Sequence, residues 1–406
     1  MPDFFLDESE LPTKRPKPRK PRSGCGVCGL DQYCITPKMQ PYGKGGLRIA
    51  VVGEAPGERE DQFGRPFIGA AGQFLRQHLA DAGIDLDKDC ITTNAVLCRP
   101  VDGKGENREP SASEVLACRR HLDKFLDAAQ PDMIVALGGT AIQAILSDAP
   151  FSPSATQMHG RVVPCPVRQC WVACGFHPSY YLHEKGKYDL RMAEFCDRVV
   201  EWMAEHGEWT DLRLDPSAYE IVENIVELDS RLAAYNATGH PVAFDYETTC
   251  LSPWDERAKL LTCAFADSPD RGWCLPLYHP QASWDRDEIG PVVLDILQTW
   301  LAGPCPKVIQ NWQFEEIWSQ VHLGVGINNV VADTMVVEHV LDNRRGVCGQ
   351  EFSEYVRYGE SAHKGMVNVT RLKDEFLDTV ARYNVLDVRY DIRIHHDQQK
   401  ELPNEF

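Results

Sequence analysis

The chain reads as an α/β protein of two domains, and three observations predict this. From Leu47 onward, apolar strand patterns alternate with amphipathic helix patterns, which implies a parallel sheet covered on both faces. The alternation breaks over 207–218, "GEWTDLRLDPSA", and then resumes. At 406 residues the chain is too long for one hydrophobic core.

Taken in order, residues 1–24 form an irregular tail. Within it 14–22, "KRPKPRKPR", carries six Lys and Arg among three prolines and is read as an extended basic arm, equally suited to grazing phosphates or to aiding solubility. The first domain spans 25–206. "LRIAVVGE" is a buried strand that ends in a Gly-Glu-Ala-Pro-Gly loop. "GAAGQFLRQHLADAG" is a helix closed by Gly83, and "CITTNAVLC" is a second strand. "SASEVLACRRHLDKFLDAAQ" is a helix opened by a capping box of Ser111 and Glu114. "DMIVALG" and "CWVACGF" are further strands, with the helix "GTAIQAILSDA" between them. In such a sheet, ligand chemistry belongs in the loops at the carboxyl ends of the strands. After a linker at 207–218, the second domain covers 219–406. It opens with a helix read over "YEIVENIVELDSRLAAYNATG", followed by strands "HPVAFDYETT", "KLLTCAFA" and "RGWCLPLY". The remainder reads as mostly helix with one short strand, "KVIQN".

Composition narrows the function classes. With 43% hydrophobic and 25% charged residues the chain is of ordinary globular type. No apolar run approaches the roughly 18 residues a membrane span needs, and no apolar stretch follows the N-terminus, so a cytoplasmic protein is expected, in the host cell if the source is viral. The net charge of −18 argues against a nucleic-acid partner unless metals neutralise an acidic site. Fifteen cysteines in a large chain of this kind indicate metal ligands or plain core residues rather than disulfides.

Asp245 and Glu247 lie on one strand two residues apart, so their carboxylates share a face. Such a pair repels unless a cation lies between its members, and a solvated strand edge is the ordinary explanation until further acids are found. Three more strings supply them. "VIQNWQFEEIW" places Asn311, Phe314 and Glu315 at a strand-to-helix junction. "ARYNVLDVRYD" places Tyr383 and Asp387 on one helical face. "ADTMVVEHVLD" offers Asp333, which is better read as a helix N-cap than as a ligand. This constellation resembles the proofreading 3′–5′ exonuclease domain of family A DNA polymerases, in the DnaQ-like, ribonuclease H-like superfamily. Glu315 is a departure, because the usual acid there is Asp. The resemblance implies two Mg²⁺ or Mn²⁺ ions held by Asp245, Glu247 and Asp387, with Glu315 acting through water. It also implies a Tyr383 that orients the attacking water, and substrate contacts by Asn311 and Phe314. Oxygen-only ligands suit these hard ions.

In the first domain, "CGVC" (Cys25, Cys28) with Cys98 and Cys118 makes a set of four thiols suited to an iron–sulfur cluster or to zinc, and composition does not choose between them. Cys34 is the near competitor. "GEAPGEREDQFGRPFIGAAGQFL", "TNAVLCRP", "NREPSASEVLAC" and "HPSYYL" resemble the motif series of the iron–sulfur, family 4 uracil-DNA glycosylases, from Cys25 to Trp202. The resemblance implies a three-layer, parallel-sheet glycosylase fold and a 4Fe–4S cluster on Cys25, Cys28, Cys98 and Cys118. It also implies that Phe67 stacks on a flipped uracil, Asn94 reads its edge, His177 donates to its oxygen and Glu54 shapes the sugar side. The segment between Cys98 and Cys118 carries a short insertion, "VDGKG". Ala55 stands where better-known glycosylases have a water-activating Asp, an absence shared with family 4.

Together these readings imply a DNA repair and replication protein: a glycosylase-type domain fused to a proofreading exonuclease, as at the front of phage-type family A polymerases. The alternative is an exonuclease joined to an inactive uracil-binding module that tethers or pauses a polymerase complex. The implied substrates are single-stranded or frayed 3′ ends and uracil-containing DNA, with no membrane partner. The sequence ends just after the third exonuclease motif, so a separate polymerase subunit or a truncated reading frame is expected.

Overall fold

The structure, a computed structural model, describes residues 25–183, 189–206, 208–284 and 290–403. The basic arm at 14–22 lies outside the described residues. The chain divides into two units, Met1–Leu212 with Val356–Gly359, and Arg213–Tyr355 with Glu360–Phe406. Among the described residues no helix is long and apolar enough to cross a membrane.

The first unit carries strands β1 (Ile49–Gly53), β2 (Cys90–Asn94), β3 (Met133–Leu137), β4 (Val162–Cys165) and β5 (Cys170–Gly175). Its helices are α1 (Glu58–Phe63), α2 (Ala70–Asp81), α3 (Ala112–Ala129), α4 (Gly139–Ile145), α5 (Ala155–Met158), α6 (Pro178–His183) and α7 (Asp189–His206). The sheet order is β2-β1-β3-β5-β4. Ile49 and Val51 of β1 pack with Leu75, Leu79, Phe195 and Val199 from α2 and α7. Ala50 and Val52 on the opposite face are equally buried, so both faces of the strand are covered. The capping box of α3 is present, with Ser111 accepting from the Glu114 N–H while Glu114 accepts from the Ser111 N–H.

Two expectations need correction here. The sheet is not wholly parallel: β4 runs antiparallel to β5, Val162 to Cys165 opposing Ala173 to Cys170. Four residues separate these strands, a length that allows only a hairpin, and Pro164 confines β4 to the edge. The second strand also stops at Asn94 rather than continuing to Cys98, because Ala95 and Val96 turn to donate to the carbonyls of Gly53 and Glu54.

The second unit carries β6 (Tyr219–Ile221), α8 (Ile225–Thr238), β7 (Val242–Thr248), β8 (Leu260–Ser268), β9 (Arg271–Pro276), α9 (Gly290–Leu301), β10 (Lys307–Ile309), α10 (Trp312–Leu323), β11 (Val330–Asp333), α11 (Thr334–Leu341), α12 (Gln350–Tyr358) up to Tyr355, and α13 (Leu377–Glu401). The order is β11-β10-β7-β8-β9-β6, with an antiparallel β7–β8–β9 meander and parallel flanks. One face packs Phe244, Phe265 and Trp273 against Trp300, Leu297 and Trp318 of α9 and α10. The other presents Ala243, Ala264, Ala266 and Cys274 to Ala381, Val385, Val388 and Ile392 of α13. The helix read from Tyr219 begins instead at Ile225. Asn224 caps it by accepting from the Glu227 N–H, which frees Tyr219–Ile221 to pair with β9. The short strand β11 was not foreseen either; with four residues, it takes its order from pairing with β10.

Asp333 caps α11 and also ties it to α10. Its carboxylate accepts from the N–H groups of Asn311 (3.1 Å), Trp312 (2.9 Å), Met335 (3.0 Å) and Val336 (3.3 Å). Asp333→Ala is therefore expected to destabilise the second unit by about 2–3 kcal/mol in urea melts of the full chain, more than a simple cap loss. Asp333→Asn should lose less than half of that.

Candidate functional sites

The carboxyl ends of the strands in the first unit open on a cavity of about 780 Å³ whose lining includes Glu54, Phe67, Asn94 and His177. The four residues assigned to the base pocket from the sequence thus meet in one place, apart from the four cysteines. Gly53 explains how. A Cβ there would lie 2.6 Å from Asn94 Oδ1 and 2.8 Å from Phe67 Cζ, so the bare glycine lets both side chains converge at the end of β1. Phe67 holds the left-handed conformation at φ 56° and is buried. Thr140 donates its hydroxyl to Glu54 Oε2 at 2.9 Å, and burial pushes the Glu54 carboxyl up.

His177 is set by the residues after it. The Ser179 N–H donates to His177 Nδ1 at 3.3 Å, and the Ser179 hydroxyl lies 2.7 Å from the same nitrogen. Burial pushes the imidazole down to about 4. A neutral ring whose Nδ1 accepts carries its proton on Nε2, leaving that nitrogen as a donor. Gly138, at φ +90°, makes room, since a Cβ there would come 3.1 Å from His177 Cβ. Thr140, Ser179 and Gly138 were not picked out from the sequence, although Gly138 directly follows β3 and Thr140 and Ser179 lie in the first turns of α4 and α6.

The cysteines gather beside this loop. Cys98 and Cys118 are buried with Cys34, Leu30, Val96 and Leu97, and Cys28 and Ala55 pack against them. The Lys38 N–H points at Cys98 Sγ (3.3 Å) and the Leu97 N–H at Cys118 Sγ (3.4 Å), a direction that favours negative charge on sulfur. Burial pushes the Cys118 thiol up to about 11, with Cys98, Cys28 and Cys25 close enough to add to the effect. The hydrogen bond from Cys34 holds Cys98 down at about 7. The all-sulfur donor set and the two inward N–H groups fit a thiolate-ligated cluster.

In the second unit, carboxylate oxygens of Asp245, Glu247 and Asp387 lie within 4.8 Å of one another. Asp245 shares a hydrogen bond with Glu315, whose other oxygen, Oε2, is buried without a partner. All four acids foreseen on this side converge, from β7, α10 and α13. Burial pushes Asp245 up to about 8, with the charge of Asp387 adding to it, and pushes Glu247 and Glu315 well above the carboxylate range. Burial acts on Asp387 in the same direction, but Lys364 and His363 outweigh it and hold that group at about 2. Acids left this strained, with an orphaned oxygen among them, fit a cation-binding site.

Tyr383 stands one turn before Asp387, and Lys364 Nζ donates to its hydroxyl at 3.3 Å. Asn311 caps α10 in the left-handed conformation at φ 63°. Phe314 rests against the core of this unit, its ring centroid 5.9 Å from that of Trp318. Three groups escaped the sequence reading. Asn384 donates to Asp245 Oδ2 at 2.7 Å while accepting from the Thr262 hydroxyl at 2.9 Å. His363 and Lys364 reach Asp387 from a single 3-10 turn, His363–Gly365. Asn384, next to Tyr383 in the third motif, was findable; the turn has no periodic signature.

Comparison with known proteins matches each unit separately. Residues 40–204 match the uracil DNA glycosylase superfamily, and 219–403 match a 3′–5′ exonuclease family of the DNA polymerase A type. The type-4 uracil-DNA glycosylase of Thermotoga maritima is 38% identical over 173 residues, 41% of this chain and 83% of that protein. The type-4 enzyme of Pyrobaculum aerophilum is 32% identical over 204 residues, 48% of this chain and 93% of its own length. The DNA polymerase of Bacillus phage SP01 is 21% identical over 330 residues, 75% of this chain but 34% of that polymerase.

His177 is expected to keep its proton on Nε2 and to stay neutral down to about pH 4, as imidazole ¹⁵N shifts will show. Its pKa lies below that of the unfolded chain, so the unfolded state binds the extra proton first. This group's contribution to stability should therefore fall as pH drops from 6.5 to about 4. A ring that titrates near 6.5, or that carries its proton on Nδ1, contradicts the assignment.

Proposed function

The chain belongs to the uracil-DNA glycosylase superfamily through its N-terminal half and carries a 3′–5′ exonuclease domain in its C-terminal half, and from this premise we propose that it excises uracil from DNA and trims DNA from 3′ ends in the service of a family A polymerase. The observation that carries the nuclease reading is the meeting of Asp245, Glu247 and Asp387 beside the orphaned Glu315 oxygen.

In the glycosylase cavity a uracil flipped from the strand loses its stacking and pairing, and the protein supplies substitutes. Phe67 offers a ring face, and the Asn94 amide offers a donor and an acceptor to the base edge. As the bond from the sugar to the base breaks, its electron pair moves into the uracil ring. The Nε2–H of His177 donates to the carbonyl oxygen where that charge collects. Glu54, held by Thr140, faces the sugar and the incoming water. With Ala55 in the loop, catalysis rests on stabilising the leaving base rather than on a strong base that activates water. Cys25, Cys28, Cys98 and Cys118 would hold a 4Fe–4S cluster, which when bound supplies a cross-link between the Cys25–Cys28 segment, the end of β2 and α3.

In the exonuclease site Asp245, Glu247 and Asp387 would hold divalent ions, with Glu315 acting through water. Magnesium or manganese, when bound, supplies the Lewis acidity for in-line displacement at the terminal phosphodiester. Asn384 fixes the orientation of Asp245, and Tyr383 aligns the water that attacks phosphorus as the 3′ oxygen departs. The physiological reading is proofreading, with single-stranded or frayed 3′ ends as substrate and a polymerase, carried on a separate chain, as partner.

The test uses labelled, uracil-containing single strands with the full chain. Abasic product is expected in EDTA, and Mg²⁺-dependent shortening is expected from the 3′ end. His177→Ala should slow uracil release by about 10²–10³-fold while leaving shortening intact, the loss typical of one oxyanion donor. Asp387→Asn should reduce shortening at least ~100-fold while leaving uracil release intact. Retention of uracil DNA without abasic product would favour a binding module.

A further inference from the structure

The carboxylate cluster already holds a cation of the protein's own. Lys364 Nζ donates to Asp387 Oδ1, and it also reaches Tyr383 OH and Gln350 Oε1, each at 3.3 Å. Beside it, His363 Nε2 lies 3.3 Å from the same Asp387 oxygen, while His363 Nδ1 lies 2.9 Å from Glu354 Oε2. Two neighbouring residues of one turn thus bring positive groups to one side of the cluster. Asp245, Glu247 and Glu315 on the other side have no such partner among the interactions described above.

The two groups differ in how firmly they are placed. The His363 and Glu354 side chains are each 1% exposed, and the imidazole is stacked near Tyr390 with ring centroids 5.7 Å apart. The Lys364 side chain is 23% exposed, whereas its partner Asp387 is 5% exposed. Lys364 is therefore the more exposed of the two groups and reaches the cluster on a long flexible stem. His363 cannot leave without stripping Glu354 of a buried partner; Lys364 can withdraw to solvent.

We propose that Lys364 is a tethered cation that occupies the carboxylate cluster when divalent metal is absent and is displaced from Asp387 when metal binds, so that this nuclease's metal affinity is set by competition with its own side chain. The proposal rests on the metal-site reading above. Physically it resolves a conflict within the site. Carboxylates buried this close repel one another and would open the junction of β7 and α13 in a metal-free chain. An ammonium that can be exchanged keeps that junction closed without making the metal superfluous. His363, anchored by Glu354, remains as the fixed partner of Asp387 in both states.

The test is calorimetric titration of the full chain with Mn²⁺, comparing wild type with Lys364→Met, which keeps the length of the stem and removes the charge. Removing the competitor is expected to tighten Mn²⁺ binding by roughly tenfold, the factor that one partly buried ion pair represents. The variant should also melt lower than wild type in EDTA, with the gap closing in saturating Mn²⁺. A lysine with a merely structural role would leave the same gap in both conditions. Equal or weaker Mn²⁺ binding by a folded variant overturns the proposal and leaves the metal site standing. Absence of Mn²⁺ binding in both chains overturns the metal site itself. Should the variant not fold, acetylation of Lys364 in wild type, followed by mass spectrometry, decides the matter. Reactivity that rises on Mn²⁺ addition supports displacement, and reactivity that stays constant or falls overturns it.

Discussion

Burying like charges together is the constraint from which the second unit takes its form. Asp245, Glu247, Glu315 and Asp387 come from three elements distant in sequence, and repulsion among them opposes the packing that brings them together. A fold accepts that repulsion only where a cation offsets it or where protons remain on the acids. The cation is visible at Asp387. Lys364 and His363 hold the Asp387 carboxyl low, at about 2, while burial pushes the remaining three acids up. The site thus has cations on the Asp387 side and, on the other side, three acids whose anionic form burial disfavours.

Small side chains make the approach physically possible. Asp387 can reach Asp245 only because α13 lies close on the sheet, over Ala243, Ala264, Ala266 and Cys274. At Gly272 a Cβ would meet Val385 at 2.8 Å, so even one methyl group at this contact would push the helix away. The first unit uses the same device at Gly53, where an absent Cβ leaves space for Asn94 and Phe67 together. In both units, the residues that set the spacing of the chemistry are those with the least chemistry of their own.

This division explains what could be read from the sequence. Asp245 with Glu247, and Tyr383 with Asp387, were legible because strand and helix periods convert their spacing directly into a shared face. The Ser111–Glu114 box and the Asp333 cap were legible for the same local reason. The strands β4, β6 and β11 were not, because three or four residues hold no period and each exists only through its neighbour in the sheet. Lys364 and His363 were hidden more deeply. Their place at Asp387 depends on a three-residue turn positioned by tertiary packing, and no spacing within "SAHKGMV" announces it.

The loop that follows β1 carries this reasoning into the first unit. Its Glu54 faces the cavity, while Ala55, the next residue, packs against the buried cysteines. Val96, from the cysteine side, donates its N–H to the Glu54 carbonyl at 2.9 Å. One peptide unit therefore separates the group facing the cavity from the wall of the cysteine cluster. Ala95 likewise donates to the Gly53 carbonyl at 2.8 Å, so the segment leading to Cys98 is tied both to Gly53, which makes room for Asn94 and Phe67, and to Glu54. The cysteine cluster and the cavity thus share the loop after β1, through Ala55 on one side and Glu54 on the other.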